Sequence, residues 1–400
     1  MIRKYKKIIV DMVLNICATA LPLMILQLVI FPLIARKEGN ENYGTILTVI
    51  SLVTIVSGSL GNSLNNIRLI RNQDYEKEKI CGDFQLLIFA EMIVSAIVVG
   101  ISSIQYCLKF IDYIFVVIMA IIWTYREYAI VTFRIRLNFK GIVVNNLIMV
   151  LGYLLGLFLY FLWGHWQIVY ILGMSFSMAY IAKTSSIVSE KAKRTKYFFR
   201  IGKELVLLVI ASVLVNLLNY ADRMIIYPMI GATAVSVYYA STLFGKIVSS
   251  AVAPINAVIL SYISQKEFVS KKLMLIVIGS ASVTAVVGYK LCILLAHPAL
   301  QLLYPDWIDA SMYYVPIMTA VAMITMISSV LNPFILKFCS MKWQLVINFS
   351  VLCCYVGLAL LLARVYGLMG FCVSVLVSNI LKLGILIILG FNSSRQETVK

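Results

Sequence analysis

Apolar runs of about twenty residues, broken by short clusters of charge, repeat from one end of the chain to the other. A run of that length crosses a hydrocarbon core of about 30 Å as a helix. Run length and flanking charge predict about twelve spans, at 10–34, 44–65, 82–104, 112–134, 141–162, 166–187, 205–230, 235–263, 273–296, 311–334, 345–363 and 367–391. The period-two alternation of a β-barrel strand does not occur in them. The first run is too long for the apolar part of a signal peptide and has no small-residue cleavage site, so it reads as a mature helix. The fold class is all-α and polytopic.

Composition agrees and charge adds a direction. The 400 residues are 62% hydrophobic and 13% charged, with a mean hydropathy of +0.96. A soluble domain is about half apolar and a quarter charged. Lys and Arg crowd alternate loops: Arg3 to Lys7, Arg68 to Lys79, Arg134 to Lys140, Lys183 to Lys203, Lys266 to Lys272, Lys337, Lys342 and the tail. The other loops keep Arg36, Lys37, Lys109 and Arg364. By the positive-inside rule both termini are cytoplasmic. That topology, with an anionic inner leaflet, accounts for a net charge of +17 that would suggest nucleic acid in a soluble protein. Nucleic acid is therefore excluded as a partner. Eight cysteines without a CxxC read as apolar filler, and two histidines, His165 and His297, offer no metal site or proton relay. Neither cofactor nor catalytic residue is expected, and the chain lacks a Walker A motif.

The halves echo each other. "IFPLIARKEGNENYGTILTV" and "IIYPMIGATAVSVYYASTLF" each place a proline after an aromatic, Pro32 and Pro228, and a tyrosine eleven residues on, Tyr43 and Tyr239. Six spans per half leave both copies in one orientation, the parallel-repeat plan of transporters. The expected organisation is an N-terminal six-helix lobe at 1–187, a basic cytoplasmic linker at 188–204, a C-terminal lobe at 205–391 and a cytoplasmic tail at 392–400. Phe198, Phe199 and Ile201 among the linker's basic residues suit the headgroup layer.

Ionisable residues inside spans are costly and face a cavity or a partner. Arg126, Arg223, Lys246, Lys290 and Lys382 qualify among the bases, and Glu91, Glu127 and Asp222 among the acids. Lys290 and Lys382 are close enough to a membrane face to snorkel instead of lining a cavity. Ser212, Asn216, Asn219 and Arg223 share one helical face. Tyr239, Thr242 and Lys246 share another, as do Thr48, Ser51, Ser59, Asn62 and Asn66. Such stripes serve helix packing or a wet cavity, and asparagine beside a full-length cation favours the cavity. Asp222 points about 100° away from Arg223, towards a neighbouring helix or the guanidinium's flank. Glu91 and Arg126 lie at matching depth on consecutive helices, so an ion pair, as a staple or a gate, is expected.

"FPLIARKEGNENYG", "GSLGNSLNNIRLIR" and "NYADRMIIYPMIGATAVSVYYASTLF" resemble the polysaccharide-transporter family, the Wzx-type flippases, of the MOP exporter superfamily. The resemblance implies two six-helix lobes related by a pseudo-two-fold, in a V-shaped transporter alternating around a cationic central cavity. It implies a polyprenyl-diphosphate-linked oligosaccharide as cargo, moved to the outer leaflet for O-antigen, capsule or exopolysaccharide synthesis by a monomer. Partners would be the cargo, membrane lipids and the polymerase and chain-length machinery. Arg223, Lys246 and Arg126 are the candidates for holding the diphosphate, and Asn62, Asn216, Asn219 and Tyr239 for the sugars. Asp222, Glu91 and Glu127 are candidates for structural or gating ion pairs. The first span carries Asn15, Thr19 and Gln27 where peptidoglycan-precursor flippases carry arginines, which counts against that cargo. Membrane potential would assist an outgoing anion, while coupling to H+ or Na+ stays open. Two alternatives stand beside this reading: a drug or cation antiporter of the same superfamily, which would want acids in the cavity, and a membrane-embedded polymerase or glycosyltransferase, which would want a long outer loop with acids or histidine.

Overall fold

A computed structural model of the chain describes residues 20–78, 80, 82–243, 245, 247, 271–338 and 341–393. Lys246, on which part of the expected cation pair rests, lies outside them, as do Asn15, Thr19, Cys17, Cys81 and Cys339. Among the described residues every regular element is helical. The long helices are α1 (Phe31–Glu78), α2 (Asp83–Ser103), α3 (Phe110–Ala129), α4 (Phe139–Trp163), α5 (Gln167–Thr184), α6 (Phe198–Ile230), α7 (Lys271–Leu303), α8 (Val315–Phe338) and α9 (Met341–Ser393). A further helical run covers 232–243. A π-helical turn, Leu26–Ile30, leads into α1.

Two of these helices are too long for one crossing. At 1.5 Å per residue, α1 and α9 would each reach roughly 70–80 Å, more than twice the hydrocarbon thickness. Each breaks at a glycine in the left-handed region, Gly39 at φ 76° and Gly367 at φ 57°, where a side chain would be strained. Gly39 falls in the loop predicted between spans one and two, and Gly367 at the first residue of predicted span twelve. Eight of the described helices, counting the unbroken lengths, are long and apolar enough to cross a membrane. Their outward faces are apolar: Ile93, Ile97 and Ile101 on α2, and Leu147, Leu151, Leu154 and Phe158 on α4, are exposed at helical spacing. An exposed apolar face is what hydrocarbon, not water, stabilises.

The described residues form two compact units, one of 20–37 with 45–224, the other of 38–44 with 225–393. The sequence repeat divides the chain at the linker; the packing divides it inside α6. In the first unit α4 and α5 approach closely through Gly152 and Gly156. A Cβ on Gly152 would come within 2.7 Å of the Leu172 carbonyl oxygen, and one on Gly156 within 2.5 Å of the Val169 Cα. This is the small-xxx-small contact of membrane helices. Asn138 caps α4 by accepting from the Gly141 N–H at 2.9 Å, and Gly164 ends it at φ 82°. An apolar cluster in this unit joins Phe84, Ile88, Tyr128, Ile142 and Ile181 to Ile187, just before the linker, and to Ile201 and Leu205 of α6.

The linker itself is tied down by charge. Arg68 makes a two-pronged contact to Glu190, at 2.7 and 2.9 Å, and Arg71 does the same to Glu204, at 2.6 and 3.1 Å. Asp83 accepts from the Thr195 N–H and hydroxyl and from Tyr75. Lys196 and Tyr197 both reach Glu78, and that carboxylate holds the Lys196 ammonium pKa above its ordinary value. The second unit is packed by Met274, Leu331, Phe334, Ile347, Val351 and Leu386, with a neighbouring cluster of Ala281, Ala285, Met323 and Met326.

Candidate functional site

The polar stripe expected on 212–223 meets the stripe expected on 48–66, inside the first unit. Arg223 Nη1 donates to Ser51 Oγ at 2.8 Å, and Asn216 Nδ2 donates to Ser59 Oγ at 2.8 Å. Further along, Arg71 and Glu204 close the series. As the residue number falls on α6 it rises on α1, so the two helices run antiparallel along one polar seam. Ser51 donates onward to the Leu47 carbonyl, which leaves its oxygen lone pairs to accept from Arg223. Arg223 is 6% exposed, with its guanidinium 5.9 Å from the centre of the Tyr220 ring. Asn62 and Asn219, on the same two helices, are exposed beside the seam. Asp222 is buried, and its Oδ1 accepts from the Arg223 backbone N–H at 2.9 Å.

Arg126 sits in a second polar cluster. Its Nη1 donates to Glu127 Oε1 at 2.8 Å, its Nη2 to Asn146 Oδ1 at 3.0 Å and its Nε to Ser177 Oγ at 3.3 Å. Ser177 and Asn145 bond each other at 2.9 and 3.1 Å. Asn65 donates to the Glu127 carbonyl at 2.7 Å and accepts from Arg134 at 2.6 Å, and Arg134 also reaches Asn66. Three of the guanidinium's nitrogens are thus engaged, by α3, α4 and α5. Buried and satisfied in this way, Arg126 holds three helices together. Asn145, Asn146 and Ser177 were not singled out from the sequence; the asparagine pair inside the apolar run "VVNNLIMVL" was the available signal.

The expected Glu91–Arg126 pair is not made. Glu91 is 5% exposed, and among the described residues neither carboxyl oxygen has a hydrogen-bond partner. One turn on, Ser95 bonds Ser57 of α1 at 2.9 Å, so that face of α2 looks towards α1. Arg126 turns the other way, towards Asn146 and Ser177. Equal depth in two helices does not fix which faces meet. Glu127, by contrast, is in an ion pair, with its own chain neighbour Arg126.

In the second unit Tyr239 is 2% exposed and sits in an aromatic box. Its ring is 6.2 Å from Tyr43 and 6.5 Å from Tyr304, and Tyr304 stacks on Trp307 at 5.4 Å. The Tyr43 and Tyr304 hydroxyls are 3.2 Å apart. The two tyrosines that mark the sequence repeat therefore pack edge to face. Tyr239 does not line open space among the described residues. Ser236 donates to the Asn40 carbonyl at 2.6 Å beside this box. Lys290 is exposed and Lys382 half-buried.

No family model matches the sequence, and no curated protein matches it either. Solved structures do. An inward-facing multidrug resistance MATE family transporter of the MOP superfamily aligns with a TM-score of 0.68 at 14% identity, over 94% of this chain and 97% of that one. The lipid II flippase MurJ, in an inward closed conformation, aligns with a TM-score of 0.63 at 13% identity, over 87% and 86%. The Vibrio cholerae MATE transporter VcmN aligns with a TM-score of 0.60 at 14% identity, over 96% and 94%. At such identities the likeness is one of fold, and most of each chain shares it: helical throughout the regular elements of its described residues, this chain has the fold of these structures.

Proposed function

We propose that the chain is a transporter, not an enzyme, that moves a polyprenyl-diphosphate-linked oligosaccharide from the cytoplasmic to the outer leaflet of a bacterial cell membrane. One observation supports this most: a nearly buried arginine, Arg223, on a polar seam flanked by exposed asparagines, Asn62 and Asn219. A diphosphate stripped of water costs many kcal/mol in hydrocarbon unless it meets a fixed cation, and sugar hydroxyls need donors and acceptors. The seam has both. Arg223 and Lys246 take the diphosphate, and Asn62, Asn216 and Asn219 take hydroxyls. Arg126, with Glu127 and the asparagine cluster, fixes α3 to α4 and α5, and Asn65 joins α1 to them at the Glu127 carbonyl. The lobes at 1–187 and 205–391 alternate, and the isoprenoid tail stays in the bilayer. Membrane potential drives an outgoing anion with about 2.3 kcal/mol per charge per 100 mV.

The second reading is an antiporter of cationic compounds, favoured by the fold likeness to the multidrug MATE transporters. Such a cargo wants acids along the path; on this seam the acid Glu204 crosses between the helices but is paired with Arg71, and the other crossing side chains are Asn216 and the cation Arg223. Reconstitution separates the two. Vesicles containing the protein should expose a fluorescent lipid-linked oligosaccharide to an impermeant reagent faster than empty vesicles, and should not accumulate a cationic dye. Dye transport without lipid flipping would reverse the assignment.

A further inference from the structure

The linker and the start of α6 carry a groove that the transport path does not use. Its volume is about 510 Å³, and Phe198, Phe199, Gly202, Lys203, Val206 and Leu207 line it. Phe199, Lys203, Val206 and Leu207 follow i, i+4, i+7, i+8, one face of a helix. Phe199 is 65% exposed and Leu207 70%, so among the described residues nothing covers this face. Gly202 leaves the floor open: a Cβ there would meet nothing within 4 Å. At the linker end the Arg194 guanidinium lies 4.2 Å over the Phe199 ring.

The charge around the groove is one-sided for a structural reason. The segment's acids are spent: Glu190 on Arg68, and Glu204 on Arg71 with Arg200 at its edge. Arg194 and Lys203 enter no ion pair among the described residues, and both are exposed. Three residues beyond Lys203, or about 4.5 Å along the helix axis, the face turns purely apolar and continues so through Ile210 and Leu214. A cationic rim above an apolar slot is complementary to an amphiphile with an anionic head and a hydrocarbon tail.

We propose that this groove is a binding site for an anionic glycerophospholipid of the leaflet on the side of the basic loops. The phosphate sits between Lys203 and Arg194. One acyl chain runs over Gly202 along Phe199, Val206 and Leu207. Such a lipid would fasten the linker, and through Glu190 and Glu204 the ends of α1 and α6, to the headgroup layer.

Native mass spectrometry of the full-length protein in detergent tests this, with phosphatidylglycerol, phosphatidylcholine and a polyprenyl monophosphate as probes. The wild type should retain one phosphatidylglycerol with about tenfold higher affinity than phosphatidylcholine, as expected for two cations near one phosphate. Arg194→Gln with Lys203→Gln should remove that preference and leave phosphatidylcholine binding unchanged. Lys203→Glu should weaken phosphatidylglycerol further, and Phe199→Ser should weaken both phospholipids. The substituted side chains are exposed, so the variants keep their fold, and an unchanged melting temperature checks that. Equal binding of the two phospholipids by the wild type, or an unaltered preference in the double variant, overturns the site. Displacement of phosphatidylglycerol by an equal or smaller amount of polyprenyl phosphate overturns the choice of occupant and assigns the groove to cargo.

Discussion

The two units hold their helices together by different means. In the first, buried polar side chains cross between helices: Arg126 to Asn146 and Ser177, Asn65 to α3, Asn216 and Arg223 to α1, with the linker clamped by Arg68 and Arg71. Among the described residues of the second, rings and sulfur carry more of the packing, from the Tyr43, Tyr239, Tyr304 and Trp307 box to Met274, Met323 and Met326, and the polar contacts, Ser241 to the Ser311 carbonyl and Thr325 to Asn379, involve no charged side chain. Hydrocarbon offers no hydrophobic drive between helices, so a membrane protein relies on close packing or on polar contacts. The first unit leans on polar contacts, which can be redirected to a ligand. The second leans on shape.

That contrast can be broken by substitution. Arg126→Ala should have the largest effect, a loss of about 3 kcal/mol of stability in detergent, because Glu127, Asn146 and Ser177 lose a shared partner. A change in the midpoint of chemical unfolding below 1 kcal/mol would show the cluster to be dispensable. Gly44→Ala comes next, at about 2 kcal/mol, since its Cβ would lie 1.8 Å from the Ala232 carbonyl oxygen and backbone must move. Glu91→Met sharpens the comparison from the other side. Replacing an enclosed, unpartnered carboxyl by an apolar chain of similar length should raise stability by about 1 kcal/mol. The effects of Glu91→Met and Arg126→Ala should add, and a coupling energy above about 1 kcal/mol would restore the ion pair that the geometry denies. Tyr43→Phe should be mildest, at about 0.5 kcal/mol, for the long hydroxyl contact to Tyr304 while the ring packing stays.

Much of this architecture could be read from the chain. Run length located the helices, and the glycines at 39 and 367, with non-helical backbone angles, mark the breaks inside α1 and α9. The stripes on 48–66 and 212–223 were legible because a 3.6-residue period puts polar groups on one face wherever the helix ends up. Their meeting at Ser51–Arg223 and Ser59–Asn216 needed the register of two helices far apart in sequence, which periodicity does not carry. Glu91 shows the same limit: depth is a one-dimensional quantity, and pairing also needs the rotation of each helix. The stripe of Tyr239 includes Lys246 and so predicts a cavity; the aromatic box exists because Tyr43 of α1 and Tyr304 and Trp307 after α7 come from positions far apart in sequence. The acids that neutralise Arg68 and Arg71 were visible as residues but not as partners, since both sit in a segment whose bulk charge is strongly basic.

The central claim is that Arg223 serves an anionic cargo and does not merely join α6 to α1. Export of surface polysaccharide by cells carrying Arg223→Ala, normalised to the amount of protein in the membrane, tests it most directly. The expected result is a loss of at least about tenfold at normal protein level, with partial recovery in Arg223→Lys, because a point charge replaces a two-pronged donor. Asp222→Ala should keep more export than Arg223→Ala. Full export by a normally accumulating Arg223→Ala variant, or a loss that tracks protein level and is matched by Asp222→Ala, would contradict the claim and leave Arg223 as a bond between two helices.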